Sequence, residues 1–418
     1  MIPEIQTFDL TLTSLAYGGD AIGRLPDGRA VFVPFALPGE RVRIRLVEEK
    51  RGHARGELVE VLEPSPQRIT PLCIHFGECG GCHYQHMPYE SQLAAKTEIL
   101  REQLKRIGGL DDPPIQPGIP SPQPYYYRNH VEFHLTSQGR LGFYKAGTNE
   151  VFAVQVCHLP DETINTVWPQ LEFDPISELR RVGLRLGAGD DIQLILESSD
   201  PQPPEFTDED LPLSAVYLGP AGSFVLAGSD QVTIEVLGRP FRVSAGSFFQ
   251  VNTPMAEAMV RHLLDHLPLG PQSTVWDVYC GVGLFSAFMA PRVGRLVGIE
   301  SSPSSVEDFA YNLNEFDNVE VYESAAEQVL PQLANQPQVI VLDPPRSGLD
   351  RRVLDAVLAS QADTLAYISC DPATLARDAR RLVAGGYHLE RITPFDLFPQ
   401  TFHIETIVLM SRVKAGPT

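Results

Sequence analysis

The sequence predicts a multidomain α/β protein with a small β-barrel at its start, a central α+β region and a Rossmann-like α/β domain at its end. Residues 4–65 read as short strands between turns, residues 126–250 are again rich in strands, and residues 270–412 alternate strands with helices. The length of 418 residues suits roughly two to three domains of about 150 residues each. The predicted domains span 1–65, 66–250 and 251–418.

Composition and charge exclude several protein classes. Hydrophobic residues make up 43% of the chain and charged residues 21%, which argues against a fibrous or wholly disordered protein. The 33 Lys and Arg against 53 Asp and Glu give a formal charge of −20, which argues against indiscriminate coating of nucleic acid. The N-terminus lacks the pattern of a signal peptide, and no apolar run approaches about 18 residues. We therefore expect a cytoplasmic protein that does not span a membrane.

The first segment predicts a barrel because apolar and polar residues alternate along it. Val42, Ile44 and Leu46 alternate with arginines, which is the period of a half-buried strand, and Gly-Gly, Asp-Gly and Pro-Gly pairs mark the turns. Residues 41–55, the basic stripe, hold six Lys and Arg against two Glu. Such a stripe can contact phosphates, although composition alone favours an ordinary solvated strand face.

Four cysteines form a candidate metal site. Cys73, Cys79 and Cys82 have the spacing C-x5-C-x2-C, and Cys157 follows later in the chain. Thiolates so arranged can converge on a soft metal, and four of them suit either zinc or an iron–sulfur cluster. The alternative is a set of buried free thiols.

The remaining elements follow from apolar spacing. A helix is predicted near 89–107, where two glycines end it. Strand candidates in the last domain, separated by helical stretches, are 273–279, 295–300, 318–324, 338–343, 364–370 and 406–411. We interpret them as a parallel α/β sheet, in which ligands bind at the carboxyl ends of the strands.

The stretch 275–285, VWDVYCGVGLF, predicts a strand, a glycine turn and the start of a helix. Gly281 and Gly283 permit close approach of a ligand to the backbone, and Asp277 lies at the end of the strand. Glu300 ends the next strand about 20 residues later, where an acid can bind ribose hydroxyls. The third glycine of a dinucleotide fingerprint is missing, so S-adenosylmethionine, which has no pyrophosphate, fits better.

Two further strand ends carry candidate residues. Asp343 begins the rigid segment Asp-Pro-Pro-Arg, and Cys370 follows the apolar strand LAYIS, so both are expected on the ligand-binding edge. From its context alone, Cys370 is as consistent with a small core residue as with a reactive thiol. Arg346 stands where amino-group methyltransferases usually carry an aromatic residue, which argues against an exocyclic nitrogen as methyl acceptor.

The motifs DVYCGVG, DPPR, SCDP and HIET, in this order after the cysteine set, resemble the uracil-5 RNA methyltransferases over essentially the whole chain. The resemblance implies a class I methyltransferase fold, S-adenosylmethionine as methyl donor and 5-methyluridine in 23S rRNA or tRNA as product. The N-terminal segment is similar to the TRAM RNA-binding barrel. The cysteine set is similar to the [4Fe–4S] ligands of the branch that modifies 23S rRNA. Since the tRNA branch generally lacks both features, the resemblance implies rRNA processing, with 23S rRNA as partner.

The resemblance also implies roles for individual residues. Carried over by position, Cys370 is the nucleophile that adds to uracil C6, and Glu405 is the base that removes the C5 proton. Arg128 and the basic stripe are expected to contact phosphates. The residues expected to line the cofactor and base pocket are Gln250, Tyr279, Glu300 and Asp343.

The chain departs from the family pattern at several positions. Tyr279 stands where Phe is usual, and Leu284 replaces a more polar residue. Residues 323–328 lack the Asp or Asn that usually contacts adenine, so no residue is assigned to that contact. We expect a monomer in which an iron–sulfur cluster is structural, with redox sensing as the alternative.

Two other function classes are weighed against this prediction. An RNA-binding assembly factor without catalysis is disfavoured because both Cys370 and Glu405 are intact. A cytosine-5 methyltransferase is disfavoured because those enzymes usually have Pro before the nucleophile, whereas Ser369 stands there in this chain.

Overall fold

The computed structural model describes residues 7–174, 178–204, 213–334 and 336–412. Its first strands are β1 (Thr7–Leu15), β2 (Ala21–Arg24), β3 (Ala30–Val33), β4 (Arg41–Glu49) and β5 (His53–Glu63). They close into a barrel in the order β1-β2-β3-β5-β4. Alternation along the strands creates the barrel core: in β4, Val42 and Ile44 are fully buried while the intervening arginines reach solvent. The predicted N-terminal barrel is therefore confirmed.

The central region is built on a mainly antiparallel sheet. Its strands are β6 (His130–Leu135), β7 (Leu141–Tyr144), β8 (Val151–Ala153), β9 (Leu179–Leu186), β10 (Ile192–Ser198), β11 (Ser214–Gly219) and β12 (Gly222–Ala227). They pair in the order β12-β11-β10-β9-β6-β7-β8. Phe133 and Trp168, from β6 and from the turn after helix α2 (Glu162–Val167), pack in its core.

Helix α1 (Tyr89–Arg106) confirms the helix predicted near 89–107. It follows the cysteine loop in the chain and packs against the C-terminal domain. Its Leu100 and Leu104 belong to a core shared with the C-terminal sheet. Lys96 Nζ donates a hydrogen bond of 2.7 Å to Asp396 Oδ1, and both side chains are fully buried. Because an unpaired buried charge is costly, this ion pair fixes how α1 meets the C-terminal domain.

The C-terminal region contains a hairpin, one large sheet and flanking helices. The strands are β13 (Gln231–Val236), β14 (Arg239–Ser244), β15 (Thr274–Val278), β16 (Arg295–Glu300), β17 (Val319–Glu323), β18 (Val339–Leu342), β19 (Thr364–Ser369), β20 (Tyr387–Phe395) and β21 (Glu405–Arg412). The helices are α3 (Thr253–His266), α4 (Leu284–Met289), α5 (Pro303–Asn312), α6 (Ala326–Val329), α7 (Arg351–Ser360) and α8 (Pro372–Ala384). Short 3-10 turns span Trp168–Gln170, Ala188–Asp190, Ala290–Arg292 and Leu330–Gln332.

The hairpin of β13 and β14 packs with the C-terminal sheet. Val232 and Phe241 from the hairpin share a core with Met255 on α3. The hairpin lies before residue 250 in the chain although it packs with the C-terminal domain. The domain boundaries at 65 and 250 stay a prediction. Across the described residues, no helix is both long and apolar enough to cross a membrane.

The large sheet has the order β17-β16-β15-β18-β19-β21-β20. Every strand candidate predicted for this region is present. The prediction of a parallel sheet is wrong at one side, because β21 runs antiparallel to both β19 and β20. The strand β20 was not predicted, since polar residues interrupt its apolar pattern. As a result, the beginning of β21 lies at the same edge as the carboxyl ends of the parallel strands.

Candidate active site

The antiparallel strand β21 brings the two predicted catalytic residues together. Ser369, the last residue of β19, pairs with Thr406 of β21. Cys370 comes directly after Ser369, and Glu405 comes directly before Thr406. Cys370 and Glu405 therefore lie at the same edge of the sheet. Asp343 follows β18, the neighbour of β19 on its other side. Three residues that are far apart in sequence thus meet at adjacent strand ends.

These residues lie in a cleft of about 1150 Å³ between the central sheet and the C-terminal sheet. Phe248 also lines the cleft and was missed by the sequence prediction; its ring is 66% exposed, whereas Phe249 beside it is buried in the core. An exposed aromatic ring offers a stacking surface for a base. Among the predicted pocket residues, those that line the cleft are Gln250, Tyr279, Gly281, Glu300, Asp343, Cys370 and Glu405.

The glycine turn has the geometry of a ligand-binding loop. Tyr279 adopts a φ of 66°, which is unusual for a residue with a side chain and marks local strain of the kind found at functional sites. Gly283 has a φ of 90°, and a Cβ there would lie 2.4 Å from Leu313 Cδ1. The positive φ and this close contact both favour glycine, which lets the loop pack closely against the end of α5.

Glu300 is held rigidly beside this turn. Its carboxylate accepts hydrogen bonds from the backbone N–H of Gly281 at 3.0 Å, Ser301 at 2.7 Å and Ser302 at 2.8 Å. The carboxylate therefore stands at the end of β16 next to the glycine turn, where it can accept hydrogen bonds from ribose hydroxyls.

Asp277 lies beneath the turn and does not line the cleft. Its Oδ2 accepts a hydrogen bond of 2.6 Å from Ser286 Oγ, whereas its Oδ1 is buried and has no partner among the described residues. Burial raises the pKa of Asp277 to about 6. Asp277 therefore supports the turn from below, and its predicted contact with the cofactor stays a prediction. The glycine turn and the Glu300 carboxylate, which both line the cleft, fit a polar cofactor such as S-adenosylmethionine, whose ribose hydroxyls could donate to Glu300.

Replacing Glu300 by alanine should weaken cofactor binding. Loss of hydrogen bonds to a charged group costs about 1.5–3 kcal/mol, so the Kd for S-adenosylhomocysteine should rise roughly 10- to 150-fold. Isothermal titration calorimetry measures this change. Glu307→Ala, an exposed position on α5, is the matched control. An unchanged Kd in Glu300→Ala would remove Glu300 from the cofactor site.

Burial and the neighbouring acids keep the Cys370 thiol protonated. Burial raises the pKa of Cys370 to about 12, with further contributions from Glu405 and Asp343, while Arg346 opposes the shift. Burial likewise raises the pKa of Asp343 to about 7 and that of Glu405 well above its ordinary range. Without ligands, the cleft therefore holds a protonated thiol next to carboxyl groups that readily carry protons.

The raised pKa predicts slow alkylation of Cys370 at neutral pH. Because a free Cys has a pKa of about 8.5, the thiolate fraction of Cys370 should be on the order of 10³-fold lower near pH 7. The rate with iodoacetamide, followed on the Cys370 peptide by mass spectrometry, should climb about tenfold per pH unit up to about pH 11. Glu405→Gln should shift this profile to lower pH. A rate that levels off near pH 8.5 would contradict the raised pKa.

The same cleft is also lined by the four cysteines Cys73, Cys79, Cys82 and Cys157. Burial raises the pKa of Cys157 to about 11, and Cys79 and Cys73 lie near enough to add to the shift. Nevertheless, over 7–174, 178–204, 213–334 and 336–412, no three His, Cys, Asp or Glu side chains stand in an arrangement that holds a metal ion. The thiols suit a soft metal by their chemistry, and the iron–sulfur site stays a prediction.

The basic stripe is largely neutralised by neighbouring strands. Arg41 pairs with Glu63 at 2.8 Å, Arg43 with Asp9 at 2.8 Å, and Arg45 with Glu57. These ion pairs bridge β4 to β1 and β5, which agrees with the solvated strand face that composition favours. Phosphate contacts would have to displace them.

Arg128, by contrast, has no carboxylate partner in the part of the chain that the structure describes. Its guanidinium lies 5.7 Å from the ring centroids of Tyr127 and Phe398, and it lines the same cleft as the cysteines and Cys370. A cation placed in this way can bind an anionic group of a substrate. The predicted phosphate contact of Arg128 remains a prediction.

The chain is similar to known proteins along nearly its whole length. The model of the tRNA (Uracil-5-)-methyltransferase family matches residues 229–413, and that of the TRAM domain matches residues 4–59. An "Uncharacterized RNA methyltransferase" of Thermosynechococcus vestitus is 36% identical over 97% of this chain and 98% of its own length. A protein with the same description in Aquifex aeolicus is 35% identical over 96% of this chain and 97% of its own.

A solved structure shares the fold. The Pyrococcus abyssi tRNA (uracil-54, C5)-methyltransferase in complex with S-adenosyl-L-homocysteine has a TM-score of 0.75 and 22% identity, covering 96% of this chain and 100% of its own. Together, the sheet edge that carries Cys370 and Glu405, the glycine turn and the full-length relatives lead to one conclusion. The chain belongs to the RNA uracil-5 methyltransferase family, a group of S-adenosylmethionine-dependent enzymes that methylate uracil C5 in RNA, and it carries an N-terminal TRAM domain.

Proposed function

We propose that this enzyme methylates C5 of a uridine in 23S rRNA through a covalent bond between Cys370 Sγ and uracil C6. The observation that carries this proposal is the meeting of Cys370 and Glu405 at the paired ends of β19 and β21, in one cleft with the glycine turn and Glu300. A nucleophile, a base and a cofactor loop are the three components that the reaction requires.

The chemistry assigns a step to each side chain. Addition of the Cys370 thiolate to C6 forms an S–C bond and moves the π electrons toward O4, so that C5 becomes nucleophilic. S-adenosylmethionine, when bound, supplies an electrophilic methyl group for C5. Glu405 takes the C5 proton, and the released electron pair restores the C5–C6 double bond and expels the thiolate of Cys370.

Asp343 and Arg346 complete the proposed pocket. With a pKa of about 7, the Asp343 carboxyl can either donate or accept a hydrogen bond at the edge of the uracil ring. Arg346 opposes the rise in pKa of both Cys370 and Glu405. Its charge therefore favours the thiolate and the carboxylate, the forms that the two steps need. The target base must leave its stack to reach this cleft.

The assignment to 23S rRNA rests on the resemblance of the barrel and the four cysteines to that branch of the family. A second candidate substrate is tRNA, because the matching family model and the Pyrococcus abyssi enzyme both carry tRNA in their descriptions. The latter shares its fold with 96% of this chain, so domain composition alone does not separate the two RNA classes.

Side-by-side methylation separates the two substrates. Transcripts of 23S rRNA and of tRNA would be offered with S-adenosylmethionine labelled in its methyl group, and the labelled nucleotide would be mapped. We expect 5-methyluridine in 23S rRNA alone. Label in tRNA alone would overturn the rRNA assignment and keep the chemistry. Label in neither, once a native ribosomal precursor has also been tried, would favour the assembly-factor alternative.

We further propose that Cys73, Cys79, Cys82 and Cys157 hold a structural [4Fe–4S] cluster in a monomeric, cytoplasmic enzyme. The support is their thiolate chemistry, their common location in the cleft and the absence of any step in methyl transfer that needs an electron. Anaerobically purified protein should be brown, with a broad absorbance near about 400 nm. A colourless protein with stoichiometric zinc would contradict the cluster.

A further inference from the structure

Tyr17, in the turn after β1 of the barrel, reaches out of the TRAM domain to the catalytic edge. Its hydroxyl donates a hydrogen bond of 2.8 Å to Asp371 Oδ2, across 354 positions of the chain. Asp371 is the residue after Cys370. A tyrosine of the RNA-binding barrel therefore contacts the segment that carries the proposed nucleophile.

Asp371 fixes the direction of the chain at this point. Its Oδ1 caps α8 by accepting hydrogen bonds from the backbone N–H of Ala373 at 2.9 Å and Thr374 at 2.8 Å. Both oxygens of the Asp371 carboxylate therefore accept hydrogen bonds, Oδ1 from the first turn of α8 and Oδ2 from Tyr17. The backbone next to Cys370 then has little freedom to rotate.

Tyr17 also contacts the segment that leads to Glu405. Its ring packs edge-on against Phe402, with centroids 5.5 Å apart. Phe402 in turn lies 4.1 Å from the ring of His403, whose Nε2 is 3.4 Å from Arg346 Nη2. One barrel residue thus contacts both segments that end in the cleft.

The turn that presents Tyr17 is itself tightly placed. A Cβ at Gly19 would lie 2.9 Å from His83 Cβ, so the turn packs directly against the loop of the cysteines. Gly19 has a φ of 93°, which favours glycine at this position. The barrel therefore contacts the cysteine loop through a turn whose backbone conformation favours glycine.

We propose that Tyr17 is a positioning residue that, through Asp371, holds Cys370 in place for attack, so that docking of the barrel completes the active site. This inference rests on the proposed role of Cys370. The hydrogen bond has a second effect, because Asp371 is among the acids whose charge raises the pKa of Cys370. The hydrogen bond donated by the Tyr17 hydroxyl partly neutralises the Asp371 carboxylate and so weakens its effect on the thiol.

Tyr17→Phe tests the role of the hydroxyl while keeping the ring against Phe402. Single-turnover release of tritium from C5-labelled RNA would be measured at saturating RNA and cofactor, together with the RNA concentration that gives half the maximal rate. We expect the rate to fall about tenfold, the effect of losing a hydrogen bond of roughly 1.4 kcal/mol, with the half-saturating RNA concentration unchanged. Tyr311→Phe, at an exposed ring, is the matched control.

The double variant Tyr17→Phe/Asp371→Asn shows whether Tyr17 acts through Asp371. Asn also caps helices well, so Asp371→Asn keeps the cap of α8 through its Oδ1, whereas an amide NH2 replaces the charged oxygen that accepts from Tyr17. We expect the double variant to be no slower than the slower single variant. Additive losses, a wild-type rate in Tyr17→Phe, or a change confined to the half-saturating RNA concentration would each overturn the positioning role. Full activity in Cys370→Ala would instead overturn the proposed function itself.

Discussion

Replacing Cys370 by alanine should abolish methylation, with a loss on the order of 10⁴-fold or more in single-turnover rate. Without the thiolate, C5 of uracil keeps its poor nucleophilicity. Cys280 also lines the cleft, but it is buried in the glycine turn and burial raises the pKa of its thiol well above the ordinary value, so it should not replace Cys370. The rate of methyl transfer to RNA at saturating S-adenosylmethionine is the measurement.

The control for Cys370→Ala is a measurement of its affinity for S-adenosylhomocysteine and for RNA. Because the side chain becomes smaller and lines a cleft, the variant should fold and bind S-adenosylhomocysteine and RNA with unchanged Kd. Turnover comparable to that of the wild type would remove Cys370 from the reaction and, with it, the covalent mechanism.

Replacing Glu405 by glutamine should trap the covalent complex between protein and RNA. Glutamine has nearly the same shape but cannot take the C5 proton, so the Cys370–C6 bond would form and methyl transfer would occur while elimination stalls. Overall turnover should fall about 10²- to 10⁴-fold, the range of general acid–base effects. A band that resists denaturing electrophoresis and contains both protein and labelled RNA is the expected observation.

The matched control for Glu405→Gln is the double variant with Cys370→Ala, which should give no such band. Within the residues that the structure describes, no donor hydrogen-bonds to the Glu405 carboxyl group, so the substitution breaks no existing hydrogen bond. Free turnover in Glu405→Gln without an accumulated complex would assign proton removal to another group.

Local patterns in the sequence were enough to predict most of the elements. Alternation predicted the barrel because β4 has one buried and one solvated face, and a 3.6-residue period predicted α1. The strands β15 to β19 are short apolar runs with turn signals at their ends. Asp343 and Cys370 were predicted as site residues because they follow the carboxyl ends of two of these strands. The proximity of these two residues then followed from the rules of parallel sheets.

Long-range pairing could not be predicted in the same way. The direction of β21 depends on β20, whose residues include His388, Glu390 and Arg391 and give no clear apolar run. The acidic partners of Arg43 and Arg45 lie on other strands, so the count of charges within residues 41–55 could not show that these arginines are paired. Tyr17 and Asp371 are separated by 354 positions, and no local signal connects them.

The most direct test of the central claim uses RNA tritiated at uracil C5 together with a cofactor labelled in its methyl group. Addition to C6, methylation of C5 and loss of the C5 proton predict that tritium appears in water in equal amount to the methyl groups gained by RNA. Both signals should require S-adenosylmethionine. Methyl transfer without release of tritium would place the new group on nitrogen or ribose and would contradict the C5 mechanism.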